Sequence, residues 1–164
     1  MRSQHGDLEL DDDPARVDLD ALWSFLSTEA YWGRWRTKEV VARQVASAWR
    51  VAGVYETASG RMVGFARAVS DGVSIAYLAD VYVLREFRGR GAGVALVGMM
   101  VDEGPGAEFR WMLHTADAHG LYQKFGFGPP QVSYLERPGR EDPGRQATGR
   151  PAPAVRAADG ATGR

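Results

Sequence analysis

The strongest chemical signal in the chain is the run Arg88-Gly89-Arg90-Gly91-Ala92-Gly93. An apolar stretch ends just before it at Leu84, and a helical pattern starts within it at about Gly91. The first turn of a helix carries unpaired backbone N–H groups and the positive end of the helix dipole. Glycines at alternate positions strip side chains from that turn, so an anionic group can reach the amides directly. Arg88 and Arg90 add charge and donors at the rim. A dinucleotide fingerprint is excluded, because counting from Gly89 or Gly91 puts Val94 or Leu96 where the last small residue must stand. A P-loop is excluded because no lysine is nearby. The remaining alternative is a glycine loop that only lets strand and helix pack closely.

Asp80 is the second candidate. It is the sole charged residue between Ile75 and Leu84. A carboxylate in such a strand is costly unless it is paired or near water. Asp71-Gly72 is a two-residue hairpin signal. A turn there pairs Ser70 with Val73, Arg67 with Ala76, Val63 with Asp80 and Arg61 with Tyr82. In that register Arg67 shares the face of Asp80 but lies roughly 13 Å along the strand, too far for a direct pair. Arg61 is then the diagonal neighbour and the structural partner. A third candidate is the aromatic cluster Tyr31, Trp32 and Trp35, which could wall a binding site for an amine or simply anchor its loop.

The elements that must position these residues follow from periodicity. Residues 1–13 are polar and end in three aspartates, which reads as a solvated arm. Helices are expected over Val17–Ser27 and, with Thr37 as N-cap, to about Ala48. Three strands are expected over Trp49–Glu56, Arg61–Ser70 and Val73–Leu84, the last a near-continuous apolar run suited to a central strand. Then come a helix from about Gly91 to Val101, a strand over Phe109–Thr115, and a short helix over Ala118–Phe125 stopped by Gly126. One or two strands are expected over Phe127–Glu136, interrupted by Pro129-Pro130. The predicted fold is a single α/β (α+β) domain, with a central mixed sheet and helices on both faces. The predicted organisation is an N-terminal arm (1–7), the domain (8–136) and a disordered tail (137–164), which is rich in Gly, Pro and Ala.

Bulk composition bounds the function. A chain of 164 residues favours one domain. The net charge of −1 argues against electrostatic capture of nucleic acid or an acidic membrane. With no cysteine there is neither a disulfide nor a thiol nucleophile. His114, Asp117 and His119 do not have a recognised ligand spacing, so no metal is expected. There is no apolar run of membrane length and no signal peptide, so a cytoplasmic protein is the default. Only two of the 20 basic residues are lysines, Lys38 and Lys124, so a lone arginine is weak evidence for a phosphate site.

Arg88-x-x-Gly91-x-Gly93 resembles the Arg/Gln-x-x-Gly-x-Gly/Ala signature of the GNAT superfamily of N-acetyltransferases. About thirty residues on, Leu121-Tyr122-Gln123-Lys124-Phe125-Gly126-Phe127 resembles a second element of that family. With the preceding strands, the resemblance covers roughly residues 8–136.

The resemblance implies an acetyl-CoA-dependent enzyme. The amides of Arg88, Gly89, Arg90, Gly91, Ala92 and Gly93 would hold the cofactor pyrophosphate, and the backbone of Val81 and Val83 would hold the pantetheine arm between two splayed parallel strands. An amine would attack the thioester directly through a tetrahedral intermediate, with a backbone N–H such as that of Val81 stabilising the oxyanion. Tyr122 would donate a proton or a hydrogen bond to the leaving thiolate. Asp80 would bind or deprotonate the amine, as in some aminoglycoside-type members. Thr115 stands where many members place a cofactor-contacting asparagine, and it could equally cap the following helix. His119, one helical turn before Tyr122, could relay a proton or lie on the surface. Tyr31 and Trp32 would border the acceptor. The expected acceptor is a small-molecule amine, and a homodimer is compatible with the family. The alternatives are a protein N-terminal or lysine acetyltransferase, and a non-catalytic acyl-CoA-binding module.

Overall fold

The apolar run of residues 75–83 does become an inner strand of the sheet, and the rest of the fold is arranged around it. In the computed structural model, which describes residues 1–131 and 133–135, those described residues form a six-stranded sheet in the order β1-β2-β3-β4-β5-β6. The strands are β1 (Arg2–His5), β2 (Leu8–Asp11), β3 (Arg50–Glu56), β4 (Met62–Ser70), β5 (Ile75–Val83) and β6 (Arg110–Met112). All neighbours are antiparallel except β5 and β6, which are parallel. The sheet is therefore mixed, as expected.

Helices α1 (Leu19–Thr28) and α2 (Lys38–Ala46) cover one face of the sheet. Their core holds Leu22, Phe25, Leu26 and Val41 against Val51, Phe65 and Tyr82, with Phe25 stacked on Tyr82 at 3.9 Å. Helices α3 (Ala92–Val101) and α4 (His119–Tyr122) cover the other. There Leu96, Val97 and Met100 pack on Val54, Val63, Ala66 and Leu78. The N-caps of the first two helices are local: the Asp18 side chain accepts from the amides of Asp20 and Ala21, and Thr37 accepts from Val40. Among the described residues no helix is long and apolar enough to cross a membrane.

Three expectations are corrected. The N-terminal segment is not a solvated arm but a β-hairpin whose second strand pairs with β3. Leu8 and Leu10 are wholly buried, and the acidic run is spent on cations: Asp11 binds Arg2 and Arg16, and Asp12 binds Arg50. The hairpin between β4 and β5 is not a two-residue turn. The Asp71 carboxylate accepts the amides of Val73, Ser74 and Ile75, which closes a five-residue loop and pairs Ser70 with Ala76. Finally, residues 127–131 and 133–135 form no strand. Prolines 129 and 130 supply no N–H for a ladder. Residues 1–133 make one unit, and the predicted tail from 137 lies outside the described residues.

Candidate active site

The site is built where the parallel pair parts. Pairing between β5 and β6 runs only from Ile75 with Arg110 to Tyr77 with Met112. From Leu78 to Val83 that edge of β5 has no strand beside it among the described residues. Which backbone groups face the open edge is set by a β-bulge. Phe65 pairs with Tyr82 but Arg67 pairs with Ala79, so β5 carries one extra residue opposite this stretch of β4. Asp80 sits in the bulge with φ of 54°, the one non-glycine positive φ among the described residues. Before the bulge, Ser74 accepts from Arg110 across the parallel pair. After it, the Leu84 amide donates to Val63 at 2.8 Å. Alternation from Leu84 then turns the N–H and C=O of Val81 and Val83 to the open edge. The Val83 carbonyl accepts from Arg88 Nε at 2.8 Å, in line with that orientation.

The glycine loop follows directly. Arg88 is engaged with β5 by that bond, so its side chain fastens the loop rather than standing at its rim. Gly89 and Gly91 have φ of 78° and 82°, in the region where an L side chain is strained. The amides of Gly91, Ala92, Gly93 and Val94 have no hydrogen-bond partner among the described residues. A Cβ built on Gly89 would meet nothing within 4 Å, so the space over that part of the loop is open. Bare amides, open space and a ten-residue helix behind them suit a phosphate-type anion.

The N-terminal hairpin clasps this loop, a role the sequence did not suggest. His5 Nε2 hydrogen-bonds the Arg90 carbonyl at 2.8 Å, and Asp7 pairs with the Arg90 guanidinium at 3.1 Å. A Cβ on Gly91 would stand 2.9 Å from His5 Nε2.

Tyr122 ends α4 and is buried, with its ring edge-on to Phe127. Its hydroxyl has no hydrogen-bond partner among the described residues. Burial pushes its pKa up to about 12, and the nearby Asp117, Tyr31 and Tyr77 add to the effect. The tyrosine is therefore held protonated. Thr115 Oγ1 accepts the Ala118 amide at 3.1 Å and so fastens the turn leading into α4, whose N-cap, Ala118, has no side-chain cap. His119 is exposed on that helix.

Asp80 is not a free carboxylate. Its side chain is 5% exposed and receives three N–H bonds. Arg36 binds it bidentately at 2.7 and 2.9 Å, and Arg67 Nε binds it at 2.5 Å. Burial raises the Asp80 pKa, but the Arg36 hydrogen bonds and the Arg67 charge outweigh burial, and the net shift is downward. A carboxylate so held is a poor proton acceptor at neutral pH. The partner expected from the two-residue turn, Arg61, pairs instead with Glu86 at 3.3 Å on the surface. Arg67 reaches Asp80 because the longer loop brings it opposite Ala79.

The aromatic loop between α1 and α2 lies over the same region. The Ala116 amide, just beyond β6, donates to the Tyr31 hydroxyl at 3.2 Å, and Trp32 meets Tyr31 edge-on at 4.8 Å. Trp35 lies 6.0 Å from the Arg36 guanidinium. Tyr31 is thus tied across to the segment that leads into α4. The Tyr77 hydroxyl, at the last paired position of β5, lies 2.8 Å from His114 Nδ1. The structure therefore brings Tyr31, Tyr77 and Asp117 each within electrostatic reach of Tyr122. Sequence reading did not find Arg36 or Tyr77, and it set Arg67 aside as too far from Asp80. The available signal was Arg36 standing directly after the aromatic cluster, which an arginine-rich chain hides.

Comparison with known proteins agrees with this arrangement. The Acetyltransferase (GNAT) family matches residues 12–127, and the chain belongs to that family. Its members define the class as acyltransferases. A curated relative, "Putative acetyltransferase FG08082" of Gibberella zeae, is 30% identical over 140 residues, covering 73% of this chain and 77% of the relative. The GNAT-family protein xcc2953 of Xanthomonas campestris pv. campestris is 34% identical, with a TM-score of 0.75 over 83% of this chain and 96% of that one. Glucosamine-6-phosphate N-acetyltransferase of Arabidopsis thaliana shares the fold alone, at 13% identity and a TM-score of 0.52 over 79% of this chain and 97% of that one.

Proposed function

We propose that the protein transfers an acetyl group from acetyl-CoA to the amine of a small molecule. The observation that carries this reading is the unpaired edge of β5 running into a loop of bare amides. The amides of Gly89 to Gly93 would hold the diphosphate, and the backbone of Val81 and Val83 would hold the amide groups of the pantetheine arm. Bound there, acetyl-CoA supplies an activated acetyl thioester open to direct attack. The Val81 N–H would donate to the carbonyl oxygen as it gains negative charge.

Tyr122 would hydrogen-bond the leaving sulfur. With its pKa at about 12 against about 8.5 for a thiol, complete proton transfer is uphill by roughly 5 kcal/mol. Its role is thus stabilisation through an O–H donor rather than delivery of a free proton. Asp80 would act as a positioning residue, because its two arginines hold the bulge that sets which backbone groups face the open strand edge. Tyr31, tied across to Ala116, and Trp32 edge-on to it would form one wall of the acceptor site, which favours a small amine over a protein tail.

Calorimetry with acetyl-CoA and a thiol-release assay over an amine panel test the reading. Binding with turnover that falls in Tyr122→Phe supports it. Binding without turnover on any amine would favour a non-catalytic acyl-CoA-binding module, and no binding at all would end it.

A further inference from the structure

The charges under the aromatic loop are unequal. Arg36, Arg67 and Asp80 have side chains only 4%, 11% and 5% exposed, so two guanidinium groups share one carboxylate. Among the described residues no second carboxylate hydrogen-bonds either arginine. The other partner of Arg36 is the neutral Gln44 side chain, at 2.8 Å. A buried cation without its counterion is costly, and the usual remedy is an anion. The unused donors are specific. Arg36 Nε is buried with no partner, and Arg67 uses only Nε, so its two terminal nitrogens hydrogen-bond no described residue.

These donors lie beside the bulge at Asp80, on the sheet face covered by α1 and α2. That face is also where the loop of Tyr31 and Trp32 is tied to Ala116. The diphosphate cradle is elsewhere, at the start of α3. The surplus positive charge therefore belongs to the acceptor side of the site and not to the cofactor side.

We propose that the acceptor amine carries an oxyanion, a carboxylate or a phosphate, received by the terminal nitrogens of Arg67 while Asp80 and Arg36 hold that guanidinium in place. This rests on the acetyl-transfer reading and names its substrate class. A planar guanidinium with two free terminal nitrogens suits two-point recognition of such a group.

The test uses matched pairs of acceptors: α-amino acids against their primary amides, and amino-sugar phosphates against the unphosphorylated amino sugars. Thiol release should be at least tenfold higher in kcat/KM for the anionic member of one pair type, and the pair type that responds tells carboxylate from phosphate. Arg67→Gln should raise the KM of that acceptor at least tenfold, a larger factor than any accompanying loss of calorimetric acetyl-CoA affinity. Arg67→Lys keeps the charge and tests whether the planar fork is needed. Independently of any acceptor, titration with inorganic phosphate and with acetate should move the Arg67 Nε–H resonance in 1H–15N spectra, saturably.

Equal use of neutral and anionic acceptors, or no saturable shift with either anion, would overturn the proposal while acetyl-CoA binding and turnover left the acetyl-transfer reading standing. Failure to bind acetyl-CoA would overturn both.

Discussion

Replacing Asp80 with asparagine separates two roles for this residue, general base and structural strut. The carboxylate is 5% exposed and takes three N–H bonds from two guanidinium groups. Asparagine keeps one acceptor oxygen, turns an NH2 toward an arginine, and leaves the pair of buried cations without a counterion. Removing one partner of a buried ion pair costs about 3–5 kcal/mol. For a chain of 164 residues each kcal/mol shifts Tm by roughly 3 °C, so Tm should fall by about 10 °C. The pH behaviour has a definite sign. The folded pKa of Asp80 is depressed, so its contribution is present above the unfolded value of about 3.9 and is lost as pH falls through the folded value. Between pH 6 and 9 the destabilisation should therefore be constant. Thermal unfolding by circular dichroism across that range measures it, alongside kcat/KM against pH. The acid limb of the rate profile should survive in Asp80→Asn. A Tm within about 2 °C of wild type, together with loss of that limb, would refute the strut and restore the base.

The other predictions concern the loop and the tyrosines. Tyr122→Phe should lower kcat about 100-fold with the acetyl-CoA KM unchanged, and the wild-type rate should show no alkaline fall from this residue below about pH 10.5, since its phenol titrates at about 12. In Gly91→Ala the new Cβ must meet His5 Nε2 at 2.9 Å on a backbone with φ of 82°, so acetyl-CoA affinity should drop. Adding His5→Ala should recover the steric part only, and full recovery in calorimetry would show the backbone conformation to be immaterial. Tyr31→Phe removes the acceptor of the Ala116 amide at a net cost of about 1 kcal/mol, so the acceptor KM should rise about fivefold while the acetyl-CoA KM stays fixed.

What the sequence by itself determined was local. The glycine spacing of residues 88–93, the Thr37 cap, the stop at Gly126 and the apolar run of β5 each act within a few residues, and each is found where their chemistry placed it. The loop of bare amides was legible for the same reason, because it needs only a strand end, small residues and a helix start.

The tertiary structure decided whatever depends on partners far apart in the chain. Arg36 meets Asp80 across 44 residues, and His5 meets Arg90 across 85. The N-terminal segment reads as polar until β3 supplies a strand edge and Arg2, Arg16 and Arg50 neutralise its acids. Asp80 gained its second arginine through register. Three backbone amides captured by Asp71 lengthen the β4–β5 loop, so Arg67 faces Ala79 rather than Ala76 and comes within a hydrogen bond of the carboxylate. A shift in strand register changes every cross-strand neighbour at once, and the energy that selects it is spread over a loop, a bulge and two packed faces.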